Sequence, residues 1–434
     1  MSRQVLIITY YWPPSGGAAV QRWLSFANRL AARGLQVHVL TVDEAWATFQ
    51  LYDESLLKDI DPRIRVHTTK TKEPFKYYKS LFGKNSIPKP AFSNESNPGF
   101  LKKVSRFIRG NFFIPDPRKG WKKYAVAKAL KLIQSEGLRH VITAGPPHST
   151  HFIGKELKER TGVQWIADFH DLWTDVIYYD MLYHLPFIKK LDLKLERTIL
   201  ESADRIMTVG DRYRDKLLSK SPLLRREKIG IMRIGYDEDL FVQKEAALQK
   251  EFIITYAGSI ADFYHPEVFI HALKSVVQRH PNVPVKLRFV GVLAQGIRNT
   301  IVQAGLENIL EEAGYVPHKE SIRYLLQSTI LLLVNPVTKD EEMVIPGKVY
   351  EYLASRKPII NITKPTAETA LLLHQCNGGQ TFDRTMQPEL ETYLSLLIRT
   401  WEQKRTLDIE GNEACVEEHS RGKITEEIIK MLQP

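Results

Sequence analysis

The densest chemistry in the sequence lies in Ile345-Pro346-Gly347-Lys348-Val349-Tyr350-Glu351-Tyr352-Leu353-Ala354. Pro346 stands where a helix begins, and Lys348 falls in its first turn, where the helix dipole disfavours a cation. A cation there makes sense if it meets a bound phosphate. Glu351, about one turn on, offers a carboxylate able to accept both hydroxyls of a ribose. A plain surface Lys–Glu pair at i, i+3 has the same spacing and would add only about 0.2–0.5 kcal/mol. Near the N-terminus, Pro14-Ser15-Gly16-Gly17 opens another helix. Paired glycines let the backbone turn tightly against a ligand, and the helix start favours an anion or an oxygen-rich group. The same residues also suit an ordinary strand-to-helix turn. They form neither G-x-G-x-x-G nor a P-loop.

Histidines and aspartates supply acid–base candidates. His148 and Asp171 lie in loops that follow successive apolar runs, whereas His151 begins a helical segment and reads as structural. His170-Asp171 lacks further ligands at metal spacing. Asp59-Ile60-Asp61 matches a D-x-D metal motif only by its letters, and no metal is expected.

These loops belong to a strand–helix alternation. Val5–Thr9, Val37–Thr41, Val141–Thr143, Trp165–Ala167, Arg205–Val209 and Ile229–Met232 are apolar runs separated by helical patterns. A second series follows at Phe252–Ala257, Val285–Val290, near Ile309–Ala313, Ile330–Val334 and Pro358–Ile362. Runs without polar alternation suit parallel strands buried on both faces. The expectation is two doubly wound, Rossmann-like α/β domains, 1–240 and 241–414, with a C-terminal helix at 415–434 packing back on the first. Ligands of such sheets bind beyond the carboxyl ends of the strands, and those are the loops carrying the residues above.

The 434 residues, 43% hydrophobic and 26% charged, have the balance of a globular protein, with too few Gly and Pro for a collagenous or disordered chain. Cys376 and Cys415 are too few for a disulfide framework, and no Cys/His cluster has zinc spacing. With no apolar run of membrane-spanning length and no signal-peptide pattern, the expected location is a reducing cytoplasm or the inner face of its membrane. Charge is uneven. Between Lys70 and Lys131 sixteen Lys and Arg face only Glu73, Glu95 and Asp116, so this window exceeds the whole chain's +11. Phe100, Leu101, Val104, Phe107, Ile108 and Phe112 recur there at helical spacing, with Lys102, Lys103, Arg106 and Arg109 on other faces. A basic amphipathic helix suits an anionic bilayer surface. Packing of the apolar face on the domain, with solvated cations, is the alternative. Nucleic acid is not expected as a partner, because no recognised binding module accompanies the segment.

Taken together, Gly16-Gly17, Gly145-Pro146-Pro147-His148, Ala167-Asp168-Phe169-His170-Asp171, Ala203-Asp204-Arg205, Gly235-Tyr236-Asp237, Gly314-Tyr315-Val316-Pro317-His318 and Pro346-Gly347-Lys348 with Glu351 resemble a GT-B-fold retaining glycosyltransferase of the family-four type. The resemblance spans essentially the whole chain. It implies that the second domain binds a nucleotide-sugar and the first a lipid-linked or polysaccharide acceptor, with no metal or other cofactor. Glu351 would hold the ribose, and Lys348 with amides near Pro346 and Gly347 the diphosphate. Gly258, Ser259, Val316 and His318 would complete the donor site. Ser15, Gly16 and Gly17 would lie near the phosphates or acceptor, and His148 near the donor sugar. Asp171 is the second acid–base candidate. Two departures stand out. The E-x7-E pattern places Met343 where a glutamate is expected, with Glu341 and Glu342 just upstream. The loop Gly258–His265 lacks the usual Arg and Lys, leaving Arg298 as a helper. A GT-B-fold sugar-nucleotide epimerase and a non-catalytic sugar-nucleotide-binding protein are the alternatives.

Overall fold

The computed structural model describes residues 4–49, 51–73, 100–176, 178–241, 250–407, 409 and 411–433. The chain forms two compact units, Met1–Arg233 with Thr425–Pro434, and Ile234–Ile424. Residues 234–240 and 415–424 thus belong with the second unit, where boundaries at 240 and 414 had put them with the first. The reason is a local pairing: Tyr236 bridges Ser420, with Tyr236 N–H donating to His419 O at 3.2 Å and Arg421 N–H to Tyr236 O at 2.9 Å.

The first unit holds strands β1 (Gln4–Ile8), β2 (Gln36–Val42), β3 (Arg65–Thr69), β4 (His140–Gly145), β5 (Gln164–Phe169), β6 (Arg205–Thr208) and β7 (Ile229–Ile231). Its helices are α1 (Ala18–Ala32), α2 (Phe100–Phe112), α3 (Lys122–Glu136), α4 (His151–Thr161), α5 (Pro186–Ser202) and α6 (Asp211–Leu218). All strands are parallel in the order β3-β2-β1-β4-β5-β6-β7. Val5, Leu6, Ile7 and Ile8 are fully buried, as a strand covered on both faces requires. Helix α1 buries Val20, Trp23, Leu24, Ala27, Leu30 and Ala31, the face its spacing predicts. The winding reverses between β1 and β4, so the loops after these two strands part and leave a crevice.

The second unit repeats the plan with β8 (Phe252–Ala257), β9 (Val285–Val290), β10 (Leu310–Gly314), β11 (Ile330–Val334), β12 (Ile359–Ile362) and β13 (Gly379–Phe382). Its helices are α7 (Glu267–Arg279), α8 (Gln295–Gln303), α9 (His318–Leu326), α10 (Lys348–Ala354), α11 (Glu368–Gln375), α12 (Gln387–Lys404) and α13 (Glu413–Glu417); α14 (Arg421–Met431) carries the chain back into the first unit. The order β10-β9-β8-β11-β12-β13 reverses between β8 and β11. One face of the sheet buries Ile254, Leu287, Leu332 and Ile360, and the other Leu331, Leu333, Val349 and Leu353.

The two cysteines, read as too few for a framework, form a single disulfide, Cys376–Cys415, with Cα atoms 5.2 Å apart across 39 residues. It ties the end of α11 to α13. His419 lies beside them, the three ligand atoms falling within 4.8 Å of one another, a Cys/His cluster that linear spacing does not reveal. With the sulfurs joined, it offers no thiolate. Among the described residues no helix is long and apolar enough to cross a membrane.

Candidate functional site

Each unit places its candidate residues at its own switch point. In the second, Lys348 is the first residue of α10, after Gly347 as N-cap. Its Nζ donates to Tyr256 Oη at 2.7 Å and lies 3.9 Å from the Tyr256 ring centre. Tyr256 Oη donates in turn to Ser259 O at 3.1 Å. Gly258 has φ +99, and a Cβ there would approach Nζ to 2.9 Å, so glycine leaves the ammonium its space. Burial pushes the Lys348 ammonium down to about 7, with Glu351 offsetting part of that shift. Helix α10 is pinned to the end of β8 a second time by Ala257 N–H, which donates to Tyr352 Oη at 2.7 Å. Glu351 Oε1 is held by His318 Nε2 at 2.7 Å, which leaves the second carboxylate oxygen for a ligand.

The structure therefore gathers Gly258, Ser259, His318, Lys348 and Glu351. Pro346 and Gly347 lead directly into α10, and Gly347 packs on Ile234, so close that a Cβ would sit 3.3 Å from its side chain. Val316 packs partly buried against the same core cluster. Arg298 is not brought to Lys348; its guanidinium pairs with Glu312. Glu341 does not stand in for the glutamate absent at Met343. It is buried and accepts from Thr363 Oγ1 at 3.0 Å and Arg384 Nη1 at 2.7 Å. Glu342 lies 3.5 Å from Lys364 Nζ.

In the first unit, the loops after β1 and β4 line a cavity of about 420 Å³ together with the C-terminal part of α2 and Asp192 of α5. Ser15, Gly16, Gly17, His148 and Asp171 all border it. The loop after β5 is set by Asp168, fully buried and gripped by Arg22 Nη1 at 2.6 Å and Trp23 Nε1 at 2.9 Å. His148 is buried, its ring parallel to Trp173 with centroids 5.2 Å apart and inclined by 28° to Phe169 at 5.6 Å. Burial holds its imidazole down to about 3, so it is neutral in the physiological range. It can hydrogen-bond a sugar but not deliver a stored proton. His151 Nδ1 is 2.9 Å from Thr143 Oγ1 in the core, away from the cavity lining. Gly17 adopts φ +111 as N-cap of α1, while the Gly16 amide is taken by Leu51 O at 3.0 Å. That amide is not offered to a ligand.

Sequence reasoning overlooked several groups. Tyr256 and Tyr352 hold the second site. In the first, Arg109, Asp116, Tyr178 and Asp192 line the cavity. Asp192 accepts from Trp173 Nε1 and Tyr179 Oη, both at 2.9 Å, and burial raises its carboxyl to about 6. A signal was present: Asp192 and Glu196 are acidic residues on the same face of α5 as Ile188 and Ile199. The basic window is also divided differently from its sequence pattern. Arg106 is buried and Arg109 lines the cavity, while Lys103, Phe100 and Phe112 are exposed. The side chain of Lys102 and residues 74–99 lie outside the described residues.

Two parallel, doubly wound units, each reversing at a loaded switch point, are the architecture of the GT-B fold. Solved structures share it over nearly their full length at low identity. A glycosyltransferase from Rickettsia africae aligns at TM-score 0.62 and 12% identity, covering 99% of this chain and 97% of that one. Sucrose-phosphate synthase from Thermosynechococcus elongatus gives 0.59 and 14%, with 99% and 98% covered. The pneumococcal O-GlcNAc transferase GtfA, solved with UDP and GlcNAc, gives 0.56 and 12%, with 99% and 98% covered. No curated protein matches the sequence. The family described as glycosyl transferase 4-like domain matches residues 16–234, about half of the chain, and the protein belongs to it.

Proposed function

We propose that the protein is a retaining glycosyltransferase that moves a sugar from a nucleotide-sugar, bound by the second unit, to a lipid-linked or polysaccharide acceptor bound by the first. The observation carrying this reading is the Lys348–Tyr256 contact at the β8/β11 switch point, one helical turn from a carboxylate held by His318. An ammonium with so depressed a pKa is poorly compensated until a diphosphate arrives. It would then stabilise the charge that develops on the departing phosphate, the main electrostatic term in such a transfer. Glu351 would take the ribose hydroxyls through its second oxygen. The acceptor hydroxyl would attack from the face the nucleotide leaves, passing its proton to a leaving phosphate oxygen, with His148 hydrogen-bonding as a neutral ring. No metal enters this scheme. That GtfA was solved with UDP and GlcNAc favours a nucleotide-sugar as donor.

The exposed apolar residues Phe100 (79% exposed) and Phe112 (67%) on α2, and Phe187 (65%) on α5, flanked by Lys103 and Lys190, would dock the protein on the anionic inner face of a membrane in the cytoplasm. Incubating the protein with UDP-, GDP-, dTDP- and ADP-sugars, with and without membrane extracts, tests the reaction. Release of nucleoside diphosphate and a product with the donor's anomeric configuration by NMR is expected. Isomerised donor without acceptor would mean an epimerase, and donor bound but never cleaved a binding protein.

A further inference from the structure

The chain's two cysteines lie 39 residues apart, and the fold brings both to the core that seats α10 through Val349, Tyr350 and Leu353. Cys376 caps the end of α11, and Cys415 lies in α13. The helical turn runs on past Glu417, with Glu418 N–H donating to Ala414 O at 3.2 Å and His419 N–H to Val416 O at 3.0 Å. His419 therefore stands one turn after Cys415, on the same face. Main-chain bonds hold these residues in place independently of the sulfurs. Asn412 N–H donates to Cys376 O at 3.0 Å, and Asn412 Oδ1 accepts from Cys415 N–H at 3.1 Å. His419 O takes the Tyr236 amide at 3.2 Å, and its ring lies 5.4 Å from that of Tyr350.

The three ligand atoms of Cys376, Cys415 and His419 all fall within 4.8 Å of one another. A tetrahedral zinc ion, with its sulfurs near 2.3 Å and its nitrogen near 2.0–2.1 Å, spaces such atoms roughly 3.5–3.8 Å apart. Once the sulfurs part, the imidazole needs to close in by only about 1 Å. Two thiolates and an imidazole are a soft donor set, suited to zinc and unsuited to magnesium or calcium. Two thiolates also neutralise a dication, so the loaded site carries no net charge into the interior. A void of about 10 Å³ borders Cys376 and Val416, the room of about one water, which is what three protein ligands leave for a fourth position. Arg356 and Lys357 line the same void, and cations nearby favour thiolate over thiol.

We propose that reduction of the Cys376–Cys415 disulfide opens a Cys2His site for a zinc-class dication, which then ties α11 to α13 in place of the S–S bond. The two sulfurs take two electrons and two protons from a dithiol or phosphine reductant and become thiols. Metal binding expels both protons as two metal–sulfur bonds form. Oxidised glutathione reverses the step: it accepts two electrons and two protons, leaves as two thiols, and the S–S bond re-forms with release of the cation. The site lies in the core beside α10 and takes no part in sugar transfer, so it stands or falls separately from the transferase reading.

The full chain is compared oxidised and after reduction by a phosphine under argon, with the phosphine removed before metal is added. Thiol titration of the folded protein should find no thiol before reduction and both cysteines after it. Co2+ added to the reduced chain should give thiolate-to-metal charge transfer and the visible bands of a tetrahedral ion, saturating at a single ion per chain. Zn2+ should displace it and bind the reduced chain at least about a hundredfold tighter than the oxidised one. Zn2+ should also raise the melting temperature of the reduced chain only. Cys376→Ser and Cys415→Ser should each abolish the two-thiolate spectrum. His419→Phe, which keeps a ring beside Tyr350, should weaken Zn2+ binding about tenfold or more. A disulfide that resists reduction in the folded chain, no thiolate band, equal Zn2+ affinity of both forms, or one ion shared by two chains overturns the proposal. So does an unaltered affinity in His419→Phe. If a variant loses its near-UV circular dichroism, the oxidised-against-reduced comparison of the wild type decides.

Discussion

At the scale of single residues, the site chemistry turns on two groups whose charge burial has shifted. Lys348 sits near 7 in the free protein, and a diphosphate should raise it. Binding at pH 8 should then take up close to one proton, seen as a dependence of the titration enthalpy on buffer ionisation heat. Affinity should be flat below about pH 7 and fall toward tenfold per pH unit above it. No proton uptake at pH 8 would show that Lys348 is already charged or does not meet the phosphate. His148 behaves in the opposite sense to an ordinary catalytic imidazole. Because its folded value of about 3 lies below the unfolded value near 6.5, its contribution to stability is lost as pH falls through that interval. Its ring resonances should not titrate above pH 5, and a midpoint near 6.5 would contradict its placement between Trp173 and Phe169. Lys348 and Glu351 could be found in the sequence because a cation in a first turn is anomalous. Tyr256 could not, since a tyrosine within an apolar strand looks like core, and its hydroxyl matters only once β8 lies beside α10.

At the scale of elements, position depends on a few cross-element bonds. Tyr352 accepts the Ala257 amide and fixes α10 to β8. Tyr352→Phe leaves that buried N–H unpaired, which should cost about 1–3 kcal/mol and lower the melting temperature by several degrees. Nucleotide affinity should fall with it, though no ligand contact is removed; unchanged melting and affinity would show that α10 is held otherwise. The central strands were legible because each is an unbroken apolar run. The edge strands β3 and β13 were not. Arg65–Thr69 is largely exposed, and Gly379–Phe382 is four residues with one buried side chain, so neither has the run that marks a strand buried on both faces. The Cys376–Cys415 pairing was likewise invisible, because only the fold brings the end of α11 to α13.

At the scale of the whole molecule, the GT-B architecture and the family were readable from the alternation of strands and from motifs at strand ends. The exact allotment of 234–240 and 415–424 was not, since it depends on the Tyr236–Ser420 pairing. The basic window read as one amphipathic surface, yet its cations divide between the interior, a cavity wall and the outside, a distinction helical periodicity alone cannot make. Membrane docking should therefore depend on the exposed residues. Phe100→Ser with Phe112→Ser and Phe187→Ser should reduce co-sedimentation with anionic vesicles several-fold and leave binding to neutral vesicles low, while equal co-sedimentation would remove the membrane from the account. The central claim is that Lys348 and Glu351 hold a nucleoside diphosphate at the switch point of the second unit. Calorimetric titration of UDP, GDP, dTDP and ADP into the wild type, Lys348→Met and Glu351→Ala measures this directly. The account predicts that one nucleotide binds the wild type and that each variant, still folded, binds it at least about tenfold more weakly; wild-type affinity in both folded variants, or binding of none of the four, would contradict it.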